Sequence, residues 1–214
     1  MMPKTNEELA YDKLRQVILN GELPQGEFLS QRMLAERTET AVVTVRAALR
    51  MLENEGLIEY VPRWGVRIPI EDEAALRDRY FVREVLEASA VARLLEHSNP
   101  QHYDSLLKKA REIDELAQET ENVAQVAQVH FEFHQHLAEC SGSNLLVEAL
   151  ERINLKVLMF YNAKYAWAPR FDPGDHVQLV EDIFCGDPAR ADQSIRQHVR
   201  RGLQRELESR ALTK

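Results

Sequence analysis

Cysteine is nearly absent: two residues in 214, Cys140 and Cys185, cannot make a disulfide framework. Each sits among small or apolar neighbours in a helical pattern, so both are expected to be buried thiols in a reducing compartment. No apolar run reaches the length of a membrane span, and the opening MMPKTNEELA lacks the apolar centre of a signal peptide. The expected location is cytoplasmic, with no membrane partner. Gly-rich phosphate loops, a nucleophile elbow and paired buried carboxylates are missing too, which removes the common hydrolase and phosphoryl-transfer motifs. Excess basic charge is also lacking. The net charge is −8, and residues 1–70 hold nine Lys or Arg against ten Asp or Glu, leaving eighteen against twenty-five for residues 71–214. Attraction to nucleic acid must therefore come from local placement of arginines.

What is present is enough for two domains. With 44% hydrophobic and 29% charged residues the chain can bury a real core. Pro69 to Asp72 marks a boundary between residues 1–70 and 71–214. Before it, Gln31 to Arg67 has the order of a winged helix-turn-helix. Ser30 is placed to cap a short helix with Leu34 and Ala35 on its inner side. From Ala41 a longer helix carries Val45, Ala48, Leu49 and Leu52 at helical spacing, and Gly56 suits a left-handed terminus. Leu57–Val61 and Val66–Ile68 read as strands joined by Pro62-Arg63-Trp64-Gly65, the wing. The longer helix is the expected major-groove reader, with Arg63 and Arg67 available for phosphates. The competing reading is a small helical domain with a hairpin and solvated arginines. Two copies on a palindrome would double the phosphate contacts, a physical reason to expect a homodimer on a double-stranded DNA operator.

After the boundary every segment reads as helix, and an antiparallel bundle follows. A first long helix spans about Glu73 to His97, and Asn99-Pro100 opens a second carrying Leu106, Ala110, Ile113 and Leu116. A third runs from about Asn122 to Cys140, and a fourth from about Leu145 to Trp167, before Pro169. A short helix near His176 to Phe184 precedes a final one opened by Asp187-Pro188. Helical phase puts His130 and His134 on one stripe with Val123, Ala127 and Leu137, and His136 on another side with Glu132 and Glu139. Imidazoles four residues apart can reach one metal, and histidines elsewhere can complete its shell; ordinary hydrogen-bonded core histidines are the other reading. Trp64, Trp167, Tyr161 and Tyr165 read as packing or interface residues, and His97 and His102 as solvated.

YDKLRQVILNGELPQGEFLSQRMLA and VRAALRMLENEGLI resemble the first helix, Gly-x-Leu turn, Leu-Ala helix, reading helix and first wing strand of the GntR family of bacterial transcription regulators. Residues 73–203 resemble the FCD domain of its FadR subfamily through Arg83-Glu84-Val85-Leu86-Glu87, Phe133-His134 with Leu137, Ser141-Gly142, His176 with Gly186-Asp187, and His198. The fold implied is mainly α, a winged helix-turn-helix plus an FCD-like helical bundle. Where the family carries Ser-Arg-Thr-Pro-Val-Arg, this chain has Ala41-Val42-Val43-Thr44-Val45-Arg46, so Arg46 matches a contacting arginine and Val42 replaces another; Arg32 lies near a third. The DNA-contacting set is therefore Arg32, Val42, Thr44, Arg46, Arg50, Arg63 and Gly65. Many FCD domains hold a divalent metal with three histidines and one aspartate. The histidines carry over to His134, His176 and His198, and His130 stands where the aspartate usually lies. An all-imidazole shell favours a transition metal, zinc or nickel, and leaves its charge for an anion to offset. A small organic acid is the expected effector, with Arg83 gripping its carboxylate or else forming a salt bridge. The reading that follows is a repressor, not an enzyme. Its alternative is a metal-dependent enzyme carrying a vestigial DNA-binding domain; against it, Glu132 lies roughly opposite the histidine stripe, where it cannot polarise a metal-bound water.

Overall fold

Helix α1 (Asn6–Leu19) lays Ala10, Leu14 and Ile18 against α3 (Val42–Asn54), whose Val45, Ala48, Leu49 and Leu52 are buried in return. Both sets follow the 3.6-residue period, and each face is removed from water by the other. The computed structural model describes residues 4–19, 22–70, 72–119, 122–166 and 174–212. Between these helices lies α2 (Gln31–Thr38), capped by Ser30, whose hydroxyl accepts from the Met33 N–H at 3.1 Å. Gly56 ends α3 at φ 68°, and the Leu57 N–H reaches back to the Leu52 carbonyl at 3.0 Å. Antiparallel strands β1 (Glu59–Val61) and β2 (Gly65–Arg67) follow in the register Glu59↔Arg67 and Val61↔Gly65. The first is two residues shorter than the expected Leu57–Val61, and the second keeps the expected length but starts one residue earlier than Val66–Ile68. Leu57, Ile58 and Ile68 are buried, but Ile68 and Val66 bridge to Gln25 and Leu29.

The chain divides into two compact units, Met1–Glu71 and Asp72–Lys214. The second is all helix among the described residues: α4 (Glu73–Glu96), α5 (Pro100–Glu119), α6 (Val123–Cys140), α7 (Asn144–Arg152), α8 (Leu155–Ala166), α9 (Asp175–Ile183) and α10 (Pro188–Leu212). Helix α10 packs along α4, α8 and α9, and α6 packs against α4, α5 and α8. Leu76, Tyr80, Ala90, Leu150, Leu158 and Val199 form part of the shared core.

Two expectations need correction here. The single fourth helix is two, because Asn154 adopts φ 59° and its carbonyl instead accepts from the Val157 and Leu158 N–H groups that begin α8. Asparagine tolerates the left-handed conformation better than most residues, so it can break a helix without glycine. Cys140 is buried, but Cys185 is exposed, since it follows the end of α9 in the turn where Gly186 reaches φ 87°. The Gly-x-Leu turn's Gly21 and the Trp167 and Pro169 of the expected fourth-helix end lie outside the described residues.

Candidate metal centre and DNA-reading surface

Helix α6 carries His130 and His134 on its buried face, α9 carries His176 in its first turn, and α10 contributes His198. All four rings converge. One ligand atom from each lies within 4.8 Å of every other, and all four side chains are buried. His136, on the other side of α6, faces away; its Nε2 is 2.9 Å from Ser105 Oγ and its Nδ1 3.3 Å from Glu139. Glu132 is likewise outside the cluster, accepting from Gln128 and pairing with Lys109. His97 is exposed, whereas His102 is half-buried beside Asn99 at the start of α5.

Two carboxylates that the sequence reading did not single out set the orientation of the rings. Glu87 Oε2 stands 2.8 Å from His134 Nδ1, which fixes that nitrogen as the donor and turns the Nε2 lone pair into the cluster. Asp114 Oδ1 takes the same role at 3.0 Å from His176 Nδ1, while its Oδ2 accepts from the Val177 N–H at 3.1 Å. Gly174 gives α9 no side-chain cap, so Asp114 on α5 supplies one to the His176 N–H, 62 residues away in sequence. His198 Nδ1 is buried without a hydrogen bond, and Asp175 Oδ2 is 3.8 Å away.

Arg83 completes the cluster. It is buried on α4, donating from Nε to Glu87 Oε1 at 2.5 Å and from Nη2 to His134 Nε2 at 3.0 Å, with its guanidinium over the Tyr80 ring. Burial opposes ionisation of Glu87, but Arg83 and then His134 outweigh it and hold its carboxyl at about 2. Burial pushes His134 down to about 4, and burial with crowding by the other rings pushes His130 and His198 well below the usual imidazole range. His130, His134 and His198 are therefore neutral near pH 7, the form that binds a metal. The donor set and the two orienting carboxylates fit a transition-metal ion held by nitrogen.

The residues expected to read DNA are exposed on the first unit. Val42 opens α3 at 39% exposure, Val43 beside it is 73% exposed, and Thr44 is half-buried. Arg46 and Arg50 are exposed one turn apart, Arg46 donating from Nε to Gln31 at 3.2 Å. Together with Tyr60 and Val66 they line a cleft of about 430 Å³ beside the wing strands. Arg32 pairs with Glu36 at 3.1 Å, with both side chains largely in solvent. Arg63 stands at the wing tip with φ 72°, and Gly65 follows at φ 105°. A Cβ at Gly65 would lie 2.8 Å from the Leu29 carbonyl oxygen, so the wing can seat here only with glycine. Trp64, expected as a packing or interface residue, is 68% exposed and so is not a core residue. Tyr161, by contrast, is buried in the helical unit.

Residues 6–68 match the gntR family of bacterial regulatory proteins, and residues 78–201 match the FCD domain. The chain is 29% identical over 213 residues, 87% of it and 85% of the relative, to the HTH-type transcriptional regulator Mce2R of Mycobacterium tuberculosis. It is 25% identical over 190 residues, 88% and 85%, to the HTH-type transcriptional regulator YdhC of Bacillus subtilis. A third relative, 24% identical over 183 residues (85% and 80%), is the "Probable D-xylose utilization operon transcriptional repressor" of Paenarthrobacter nicotinovorans. The fold matches that of McbR/YncC of E. coli with a TM-score of 0.71 at 17% identity, covering 96% of this chain and 99% of that one. A GntR regulator from Rhodococcus sp. RHA1 gives 0.72 at 19% identity with the same coverage. These relatives are regulators of transcription rather than enzymes, and no helix among the described residues is long and apolar enough to cross a membrane. The chain belongs to the GntR family of bacterial transcription regulators, in the FadR subfamily, with an FCD domain as its helical unit.

Proposed function

We propose that the protein is a homodimeric repressor whose hold on a palindromic operator is set by a small carboxylate metabolite at a metal centre in the helical unit. The observation that carries this reading is the meeting of Arg83 with four imidazoles in one buried cluster. His130, His134, His176 and His198 would hold the ion, zinc or nickel by the chemistry of four nitrogen donors. A bound ion would act as a Lewis acid that anchors an anionic group.

The protein's own contribution is charge balance and aim. Among the described residues no carboxylate belongs to the four-histidine set, so the ion's charge would be offset through Glu87, Asp114 and Asp175 behind the rings. An organic anion supplies what is missing. Arg83 Nη2 shares the His134 Nε2 lone pair that a metal would need, while its Nε donates to Glu87. With that lone pair on a metal, Arg83 would have one guanidinium N–H to offer a carboxylate. In the first unit, Arg32, Arg46, Arg50 and Arg63 contact phosphates or base edges, and Val42 and Thr44 face the bases. With nearly balanced charge in residues 1–70, one copy binds weakly and two copies on a palindrome bind well. Repression is the sense supported by the relative named as a repressor.

The test is a panel of organic acids added to zinc-loaded, nickel-loaded and metal-stripped protein while melting temperature is followed. An acid that raises it only in loaded protein, and that changes affinity for a duplex chosen from a random pool, supports the reading. Equal responses with and without metal would overturn the role of the centre.

A further inference from the structure

We infer that Asp175 is the positioning carboxylate of His198, contested between that ring and Arg205, so that loading the metal centre draws it off the arginine. The inference rests on the metal-centre reading of the helical unit and adds to it a residue that acts through a ligand.

The observation behind it is a buried polar atom without a partner. His198 is 6% exposed, and its Nδ1 makes no hydrogen bond. The carboxylate oxygen facing that nitrogen is Asp175 Oδ2, 3.8 Å away and just beyond hydrogen-bond reach. His134 and His176 are arranged otherwise, since their Nδ1 atoms lie 2.8 and 3.0 Å from Glu87 and Asp114. The third ring faces its acceptor without reaching it.

The arginines of α10 explain the gap. His198, Arg201 and Arg205 follow one another at spacings of three and four residues, so they share a face of α10 over the first turn of α9, where Asp175 stands. Arg201 Nη2 donates to Asp175 Oδ1 at 2.8 Å, and Arg205 Nη1 donates to Oδ2 at 3.4 Å. The oxygen nearest His198 is therefore already an acceptor, though for a long bond. Among the described residues Asp175 is the only carboxylate that pairs with either arginine. One buried carboxylate thus answers two guanidinium groups and stands within an ångström of bonding a third donor.

An ion decides between the donors. A neutral imidazole has one proton, and burial with the neighbouring rings keeps His198 neutral, so in the metal-free protein that proton is free to occupy either nitrogen. Coordination through Nε2 fixes it on Nδ1. The result is a buried N–H made a stronger donor by the cation behind it, and Asp175 is the acceptor it faces. Closing 3.8 Å to hydrogen-bond distance takes Oδ2 from the long contact with Arg205, while Arg201 keeps its hold on Oδ1. Metal loading is thereby felt at Arg205, about two turns along α10 from the last ligand.

The probe is zinc alone on the full-length protein, with affinity read by competition with a chelator. Asp175→Asn should lose about tenfold. Arg205→Met should bind zinc about threefold more tightly, because it releases Oδ2 from an ion pair that contributes little by itself, and should add nothing in Asp175→Asn protein. NMR of the zinc-loaded protein with isotope-labelled histidine should show a slowly exchanging Nδ1–H from His198 that is lost in Asp175→Asn, while those of His134 and His176 persist. An ion pair that only joins α9 to α10 predicts a different pattern, in which both variants weaken zinc binding and lower the melting temperature of the zinc-free protein. Unchanged affinity in either variant, or a loss in both, would overturn the inference and leave the metal centre in place. Arg205→Met decides by itself should Asp175→Asn fail to fold. A parent protein that takes up no zinc removes the metal centre and this inference with it.

Discussion

The two units keep their chemistry in opposite places. In the first, the arginines expected to meet DNA and the wing aromatic are on the surface, and Thr38 is the one buried polar residue among those described. In the second, Arg83, Glu84, Glu87, Asp114, Glu206 and the four clustered histidines are all buried. A surface group can change without much consequence for folding. A buried charged group is tolerated only while each partner is present, so function and stability become inseparable. The reading surface can diverge by single substitutions, whereas the cluster must change as a set.

The largest expected effect tests that contrast directly. Glu87→Ala leaves Arg83 buried without its carboxylate and His134 without its orienting acceptor, and should cost about 3–5 kcal/mol of stability. Arg63→Ala on the wing should stay within about 0.5 kcal/mol. Urea unfolding of both variants makes the comparison. Equal midpoints would show that the buried network is not what holds the helical unit together.

A smaller effect is expected from the residue that orients His176 without ligating. Asp114→Asn keeps the shape, so the α9 N–H groups retain an oxygen acceptor, but it removes the charge behind the ring. Zinc affinity, measured by competition with a chelator, should fall about 10–100-fold with a modest change in melting temperature. Unchanged affinity would make Asp114 a helix cap and nothing more.

How much of this was legible follows from what periodicity can and cannot carry. Helical phase alone placed His130 and His134 inward and His136 outward, because one helix face is a local property. The meeting of α6 with α9 and α10 is not local, and His176 and His198 joined the set by resemblance. Glu87 had a usable signal: it lies four residues after Arg83 on the same face of α4, the spacing of an ion pair. Asp114 had none, since its partner is 62 residues away. The break at Asn154 was missed because apolar spacing continues across it and only the backbone turns. Trp64 was read as a packing or interface residue, and sequence could not choose between the two because it cannot see that the tip of this turn has nowhere to bury the ring.

The smallest expected effect concerns the first residue of the reading helix, where the surface unit departs from its family. Val42 is 39% exposed at the start of α3, followed by the more exposed Val43. Valine donates no hydrogen bond but can rest on a thymine methyl group, so the operator should depend less on guanine at this position than a family arginine would require. Arg46 provides the internal standard: Arg46→Ala should cost about 1–3 kcal/mol of binding if it meets a base edge. Val42→Arg should change stability little, raise duplex affinity through one added phosphate or base contact, steepen the salt dependence by about one unit, and move preference toward guanine. Parallel selections from randomised duplexes with the parent and Val42→Arg proteins decide between the two ends of the helix. A shared preferred sequence would mean that Val42 stands clear of the bases and that Arg46, one turn further on, marks where reading begins.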